Sequence, residues 1–87
     1  MDMYCVMYCV YDTVAELASP PFLQPNDSAA KRAFVQLMRE SNRCGSADYM
    51  LYRIGFWNAS NAILCGADYP EVIMSSAEVN ENEKAQD

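Results

Sequence analysis

The spacing of apolar positions changes along this chain, and each change marks an element. Residues 3–13 hold a tandem Met-Tyr-Cys-Val, at 3–6 and 7–10, and are dense in Tyr, Val and Cys, residue types that suit a pleated strand. In such a strand Tyr4, Val6, Tyr8 and Val10 point one way and Met3, Cys5, Met7, Cys9 and Tyr11 the other, so both faces are apolar and both need cover. One face is expected to meet a helix and the other a second copy of the chain. Pro20, Pro21 and Pro25 then enforce an extended connector with Phe22 and Leu23 as apolar anchors. Asn26 and Asp27 offer N-cap side chains, and good helix formers without Gly or Pro follow until Gly45, which predicts a helix over 27–42. At about 100° per residue, Ala30, Ala33, Phe34, Leu37 and Met38 share one arc, and Arg32, Arg39 and Arg43 fall within about 40° of each other on the opposite side. Alternation returns over 47–57, crosses the polar run Asn58-Ala59-Ser60-Asn61 and resumes at 62–65, the pattern of a β-hairpin over 47–65. Residues 69–74 add a short edge strand.

These elements predict a small α+β domain over 1–77: a mostly antiparallel β-sheet packed on one main α-helix in β-α-β-β order. A flexible acidic C-terminal tail is expected over 78–87. A few strands and one helix bury little area alone, which again favours a homodimer.

Charge changes this picture, because it is unevenly distributed. The chain of 87 residues carries a formal net charge of −6. Residues 26–53 nevertheless hold Lys31, Arg32, Arg39, Arg43 and Arg53 against Asp27, Glu40 and Asp48, whereas 68–87 holds six acids and only Lys84. A local basic patch is thus hidden inside an acidic chain. The tail reads either as a solubility device or as a tethered competitor that folds back over that patch.

The available chemistry is narrow. With no histidine, a Cys-His or Ser-His nucleophilic pair cannot be built. Phosphate-cradling glycine motifs and clustered carboxylates at metal-ligand spacing are missing too, so neither catalysis nor a cofactor is expected. Cys5, Cys9, Cys44 and Cys65 read as reduced thiols; Cys5 and Cys9 lie roughly 13 Å apart on a strand and cannot share an ion. No stretch approaches the roughly 20 apolar residues of a membrane span, and the N-terminus lacks the basic region of a signal peptide. Residence in the cytoplasm without membrane contact is the expectation. In that setting the Asn58-Ala59-Ser60 sequon is turn chemistry only.

What remains is Tyr49, Tyr52, Arg53, Phe56 and Trp57 directly after the arginine stripe. Aromatic faces stack unpaired bases at roughly 1–3 kcal/mol each and guanidinium groups neutralise phosphates, a combination suited to single-stranded nucleic acid. Strand alternation places Tyr49, Leu51, Arg53 and Trp57 in one ligand-facing row and Tyr52, Ile54 and Phe56 on the core side. A protein interface uses the same residue types, so both readings stand.

The order Val10-Tyr11-Asp12-Thr13-Val14-Ala15, Pro21-Phe22, Asn26-Asp27, Ala30-Lys31-Arg32-Ala33-Phe34, and Asp48-Tyr49 with Leu51-Tyr52-Arg53-Ile54-Gly55-Phe56 resembles the small non-structural protein of gokushovirus-type microviruses, phages with single-stranded DNA genomes. The resemblance covers roughly residues 7–73 and carries no catalytic signature. It implies a non-capsid protein of the infected bacterium that binds single-stranded DNA during genome replication or its handover to packaging. The duplicated Met-Tyr-Cys-Val and the aromatic turn at Phe56-Trp57-Asn58, where an acidic turn is more usual, depart from the pattern.

The expected site is therefore Arg32, Arg39, Arg43 and Arg53 with Lys31 on phosphates, and Tyr49 and Trp57 on bases. The alternative is an interaction module that modulates a phage or host replication protein without touching DNA.

Overall fold

The computed structural model describes residues 4–80. Strand β1 (Tyr4–Asp12) lies at the centre of a curled antiparallel sheet. Asp12 ends it by accepting the amides of Val14 and Ala15 on its Oδ1, and a turn with Glu16 at φ 58° returns the chain along the same edge. There β2 (Leu17–Ala18) pairs with Tyr11 and Asp12, and β3 (Phe22–Gln24) pairs with Val6, Met7 and Tyr8. The proline connector is thus extended as expected, but it is also hydrogen-bonded into the sheet. The observed order is β-β-β-α-β-β rather than β-α-β-β, because two strands of two and three residues are too short to show a period.

Helix α1 (Asp27–Glu40) starts at Asn26, whose side chain accepts the Ala29 amide. It stops two residues before the expected Asn42: Asn42 takes φ 62°, its amide donates to Arg39 O, and the Arg43 amide donates to Met38 O. That is a Schellman ending with Asn in the left-handed position. Ala30, Phe34 and Met38 are buried against the sheet as their spacing predicts, whereas Leu37 is 45% exposed. The core joins them to Tyr8, Leu51 and Val79.

Strands β4 (Tyr49–Asn58) and β5 (Ile63–Ser75) form the hairpin, and β5 absorbs the edge strand expected separately at 69–74. The sheet runs β2-β1-β4-β5. At the turn, Asn58 Oδ1 accepts the Ser60 amide and Asn61 Oδ1 the Ile63 amide. Both ladders of β4 are irregular around Ile54: Met7 pairs with Gly55 but Tyr8 with Arg53, and on the other edge Gly55 pairs with Gly66 but Arg53 with Glu71. Ile54 is a β-bulge, and residues 67–70 of β5 have no partner on β4 opposite it.

The chain closes with a 3-10 turn (Ser76–Glu78) capped by Ser75 and Glu78 in a capping box. Ser76 is fully buried and Val79 is 3% exposed. Glu78 and Val79, assigned above to the tail, therefore belong to the domain; residues 81–87 and any contact they make with the basic patch lie outside the described residues. The four cysteines are free thiols, Cys9 buried and Cys65 exposed. No helix among the described residues is long and apolar enough to cross a membrane.

Candidate nucleic-acid interface

The bulge at Ile54 decides where the hairpin side chains point. Directly paired residues share a face, so Tyr8, Arg53, Val10 and Leu51 face the helix, and so do Val6 and Phe56 beyond the bulge. Cys5 and Trp57, Met7 and Gly55, and Cys9 and Tyr52 share the reverse face. The expected row of Tyr49, Leu51, Arg53 and Trp57 is therefore broken: Trp57 lies on the opposite side from the other three. Leu51 is fully buried in the core, and Phe56, expected inside, is 44% exposed.

Lys31, Arg32 and Arg39 come together. Their positions on one flank of α1 line an open cleft of about 720 Å3 against Met74, Val79 and Asn80, with Glu40 and Glu78 at its walls. Arg39 Nε donates to the Asn80 carbonyl at 2.9 Å, which ties the cleft to the C-terminal turn.

Arg43 leaves the stripe because the Schellman ending turns the chain off the helix axis. Its guanidinium sits 4.8 Å from the centre of the Tyr49 ring, a cation–π pair. Both line a second, more apolar groove of about 640 Å3 floored by Val10, Phe22 and Met38, on the other flank of α1.

Arg53 is committed elsewhere. It donates to Asp27 Oδ2 at 2.6 Å and to Glu71 Oε1, bridging the helix start to β5. Asp27 in turn accepts the Tyr8 hydroxyl. The pKa of the Tyr8 hydroxyl is pushed far above the ordinary phenol value, first by burial and then by that bond and the neighbouring carboxylate charge. Asp27 is held below the usual carboxylate range, chiefly by the Tyr8 bond and then by the Arg53 bond and charge, with burial opposing them.

The reverse face is different chemistry. Cys5, Met7, Cys9, Tyr11, Met50, Tyr52 and Trp57, joined by Leu64 and Val72 on β5, share it without a charged residue. The Tyr11 and Tyr52 rings lie 5.7 Å apart there. The half-buried aromatics Tyr11, Tyr52 and Trp57 therefore lie on the side of the sheet away from the cations, the exposed Tyr4 and Phe56 lie on the helix side, and Arg43 stacks directly on Tyr49. Gly55 was the signal for this: a glycine inside a strand pattern marks a bulge or a close backbone approach. The Ser75-x-x-Glu78 spacing likewise announced the C-terminal cap.

Over residues 5–79 the sequence matches the protein family described as Phage ORF5 protein. Neither a curated protein nor a solved structure matches it.

Proposed function

From the premise that this chain belongs to the phage ORF5 protein family, we propose that it is a non-structural, single-stranded DNA-binding protein of a gokushovirus-type microvirus. It acts in the cytoplasm of the infected bacterium, in genome replication or handover to packaging. One observation carries this reading: Lys31, Arg32 and Arg39 converge on one open cleft although the chain as a whole is strongly acidic. Such a concentration of cations neutralises a phosphate backbone without reading sequence. Arg43 over Tyr49 offers a neighbouring guanidinium and aromatic face for an unpaired base.

The second reading, a module that modulates a phage or host replication protein, is favoured by the uncharged reverse face with Tyr11, Tyr52 and Trp57. Fluorescence anisotropy with a labelled mixed-sequence 30-nucleotide strand, single and duplex in parallel at low and physiological salt, separates the two. Preferential, salt-sensitive binding of the single strand that is lost in Arg32→Glu/Arg39→Glu supports the DNA reading. Unchanged binding by that variant, or none by the wild type at micromolar protein, overturns it.

A further inference from the structure

The distal part of the sheet reaches beyond the start of α1. There the rungs of β1, β4 and β5 pair Tyr4 with Asn58, Val6 with Phe56, Asn58 with Ile63 and Phe56 with Cys65 on the helix side. On the reverse side they pair Cys5 with Trp57 and Trp57 with Leu64. Among the described residues no helix covers either face of this arm: Tyr4, Phe56, Ile63 and Leu64 are 58%, 44%, 55% and 60% exposed. Neither residues 54–67 nor residues 4–11 contain a charged side chain.

β5 is the last strand of the sheet, so its outer edge over 63–66 meets no strand among the described residues. Such an edge is a template for another strand. Further along, the irregular stretch 67–70 of β5 and Pro70, which has no amide hydrogen, interrupt it. The usable edge is thus short, apolar and placed at the arm.

We propose that the arm is a homodimerisation surface, with β5 of one copy running antiparallel beside the same 63–66 segment of a second copy across a two-fold axis. Antiparallel pairing of one segment with itself is self-complementary, and it extends the sheet; with the axis at Leu64 that residue lies beside its counterpart and Ile63 beside Cys65 of the second copy. The charge distribution selects this occupant. Copies of net charge −6 repel each other over most of their surface, and the arm is the place where neither brings a like charge. It also offers no cation for a phosphate. The four large exposed side chains alone present on the order of 400 Å2, about half of what each partner gives a standard interface before the paired backbone is added.

The proposal is independent of DNA binding and is tested without DNA. Sedimentation velocity of the full chain between about 5 and about 200 µM should show a shift from 9.8 kDa to twice that mass, corresponding to micromolar association. The protein's single tryptophan, Trp57, lies on the arm, so its emission should move to the blue over the same range. Leu64→Glu should raise the dissociation constant at least tenfold with an unchanged far-ultraviolet spectrum, because that side chain is largely exposed. Leu37→Glu, exposed on the helix, should associate like the wild type. A wild type that stays at 9.8 kDa throughout, a Leu64→Glu variant that dimerises unchanged, or a Leu37→Glu variant that does not dimerise overturns the proposal.

Discussion

The hydroxyl of Tyr8, at the middle of β1, donates a 2.6 Å hydrogen bond to Oδ1 of Asp27, the first residue of α1. Through it the helix start is fixed to the centre of the sheet, and Arg53 completes the join from the neighbouring strand by bonding the other carboxylate oxygen. Tyr8 is fully buried and its ring stacks on Phe22 at 6.0 Å, so one side chain links β1, β3 and the helix. The cleft that gathers Lys31, Arg32 and Arg39 begins one turn along the helix from this joint.

Tyr8→Phe keeps the ring and removes only the donor. Because the lost bond is to a carboxylate, the variant should be less stable by about 2 kcal/mol while the fold is retained, since Arg53 still holds Asp27. Urea denaturation followed by circular dichroism measures the change; an unchanged midpoint would show that the bond contributes nothing net.

The same carboxylate sets a pH dependence. Asp27 is held below its unfolded value near about 3.9, so its charged form stabilises the fold at every pH above that value, and the contribution is lost as pH falls from there through the folded value. The urea midpoint should stay level from pH 7 to about 5 and drop below about 4. Asp27→Asn should be less stable at pH 7 and fall less steeply in the acid window. Parallel curves for the two proteins across that window would contradict the assignment.

Gly55 is held by close packing. A Cβ added there would meet the Cys65 carbonyl oxygen at 2.5 Å and the Gly66 Cα at 3.1 Å, both backbone atoms that cannot swing away. Gly55→Ala should therefore cost about 1–3 kcal/mol, whereas Gly66→Ala, with nothing within 4 Å, should change stability by less than about 0.5 kcal/mol. Equal effects of the two substitutions in thermal melts would place the constraint elsewhere.

That glycine also marks the limit of what the chain's pattern reveals. The helix, its N-cap at Asn26 and its buried stripe of Ala30, Phe34 and Met38 follow from a period of 3.6 and a polar cap, both local signals. The hairpin expected over 47–65 follows from alternation around a polar turn, but the continuation of its second strand to Ser75 does not, because the irregular stretch 67–70 interrupts the period. Face assignments across Ile54 do not either, because one extra residue in a strand reverses every later side chain. Phe56 keeps the helix side and Trp57 the reverse side expected of them, whereas Tyr49, Leu51 and Arg53 take the helix side and Tyr52 the reverse side, opposite to their expected places. Arg43 left the stripe for a comparable reason: wheel arithmetic assumes that the helix continues, and Asn42 ends it. Val79 was unreadable as core because the buried side chains it joins, Tyr8, Ala30, Phe34, Met38 and Leu51, are distant in sequence, and its acidic neighbours resemble a solvated tail.

Arg53 and Arg32 should behave differently in a DNA titration, although the sequence presents both as cations of one patch. Arg53 bonds two carboxylates, Asp27 and Glu71, and a phosphate would have to displace them before it gained anything. Arg32 lines the open cleft with Lys31 and is exposed. On single strands each phosphate neutralised contributes a slope of about −0.7 to log K against log[salt]. Arg32→Ala should therefore make the slope shallower by about 0.7 and weaken binding most at low salt, with little change in melting temperature. Arg53→Ala should instead lower the melting temperature and leave the slope of the folded protein unaltered. If Arg53→Ala reduced the slope as much as Arg32→Ala, the guanidinium would be exchanging its carboxylates for DNA, and the interface would have to be redrawn around the joint between α1 and the sheet.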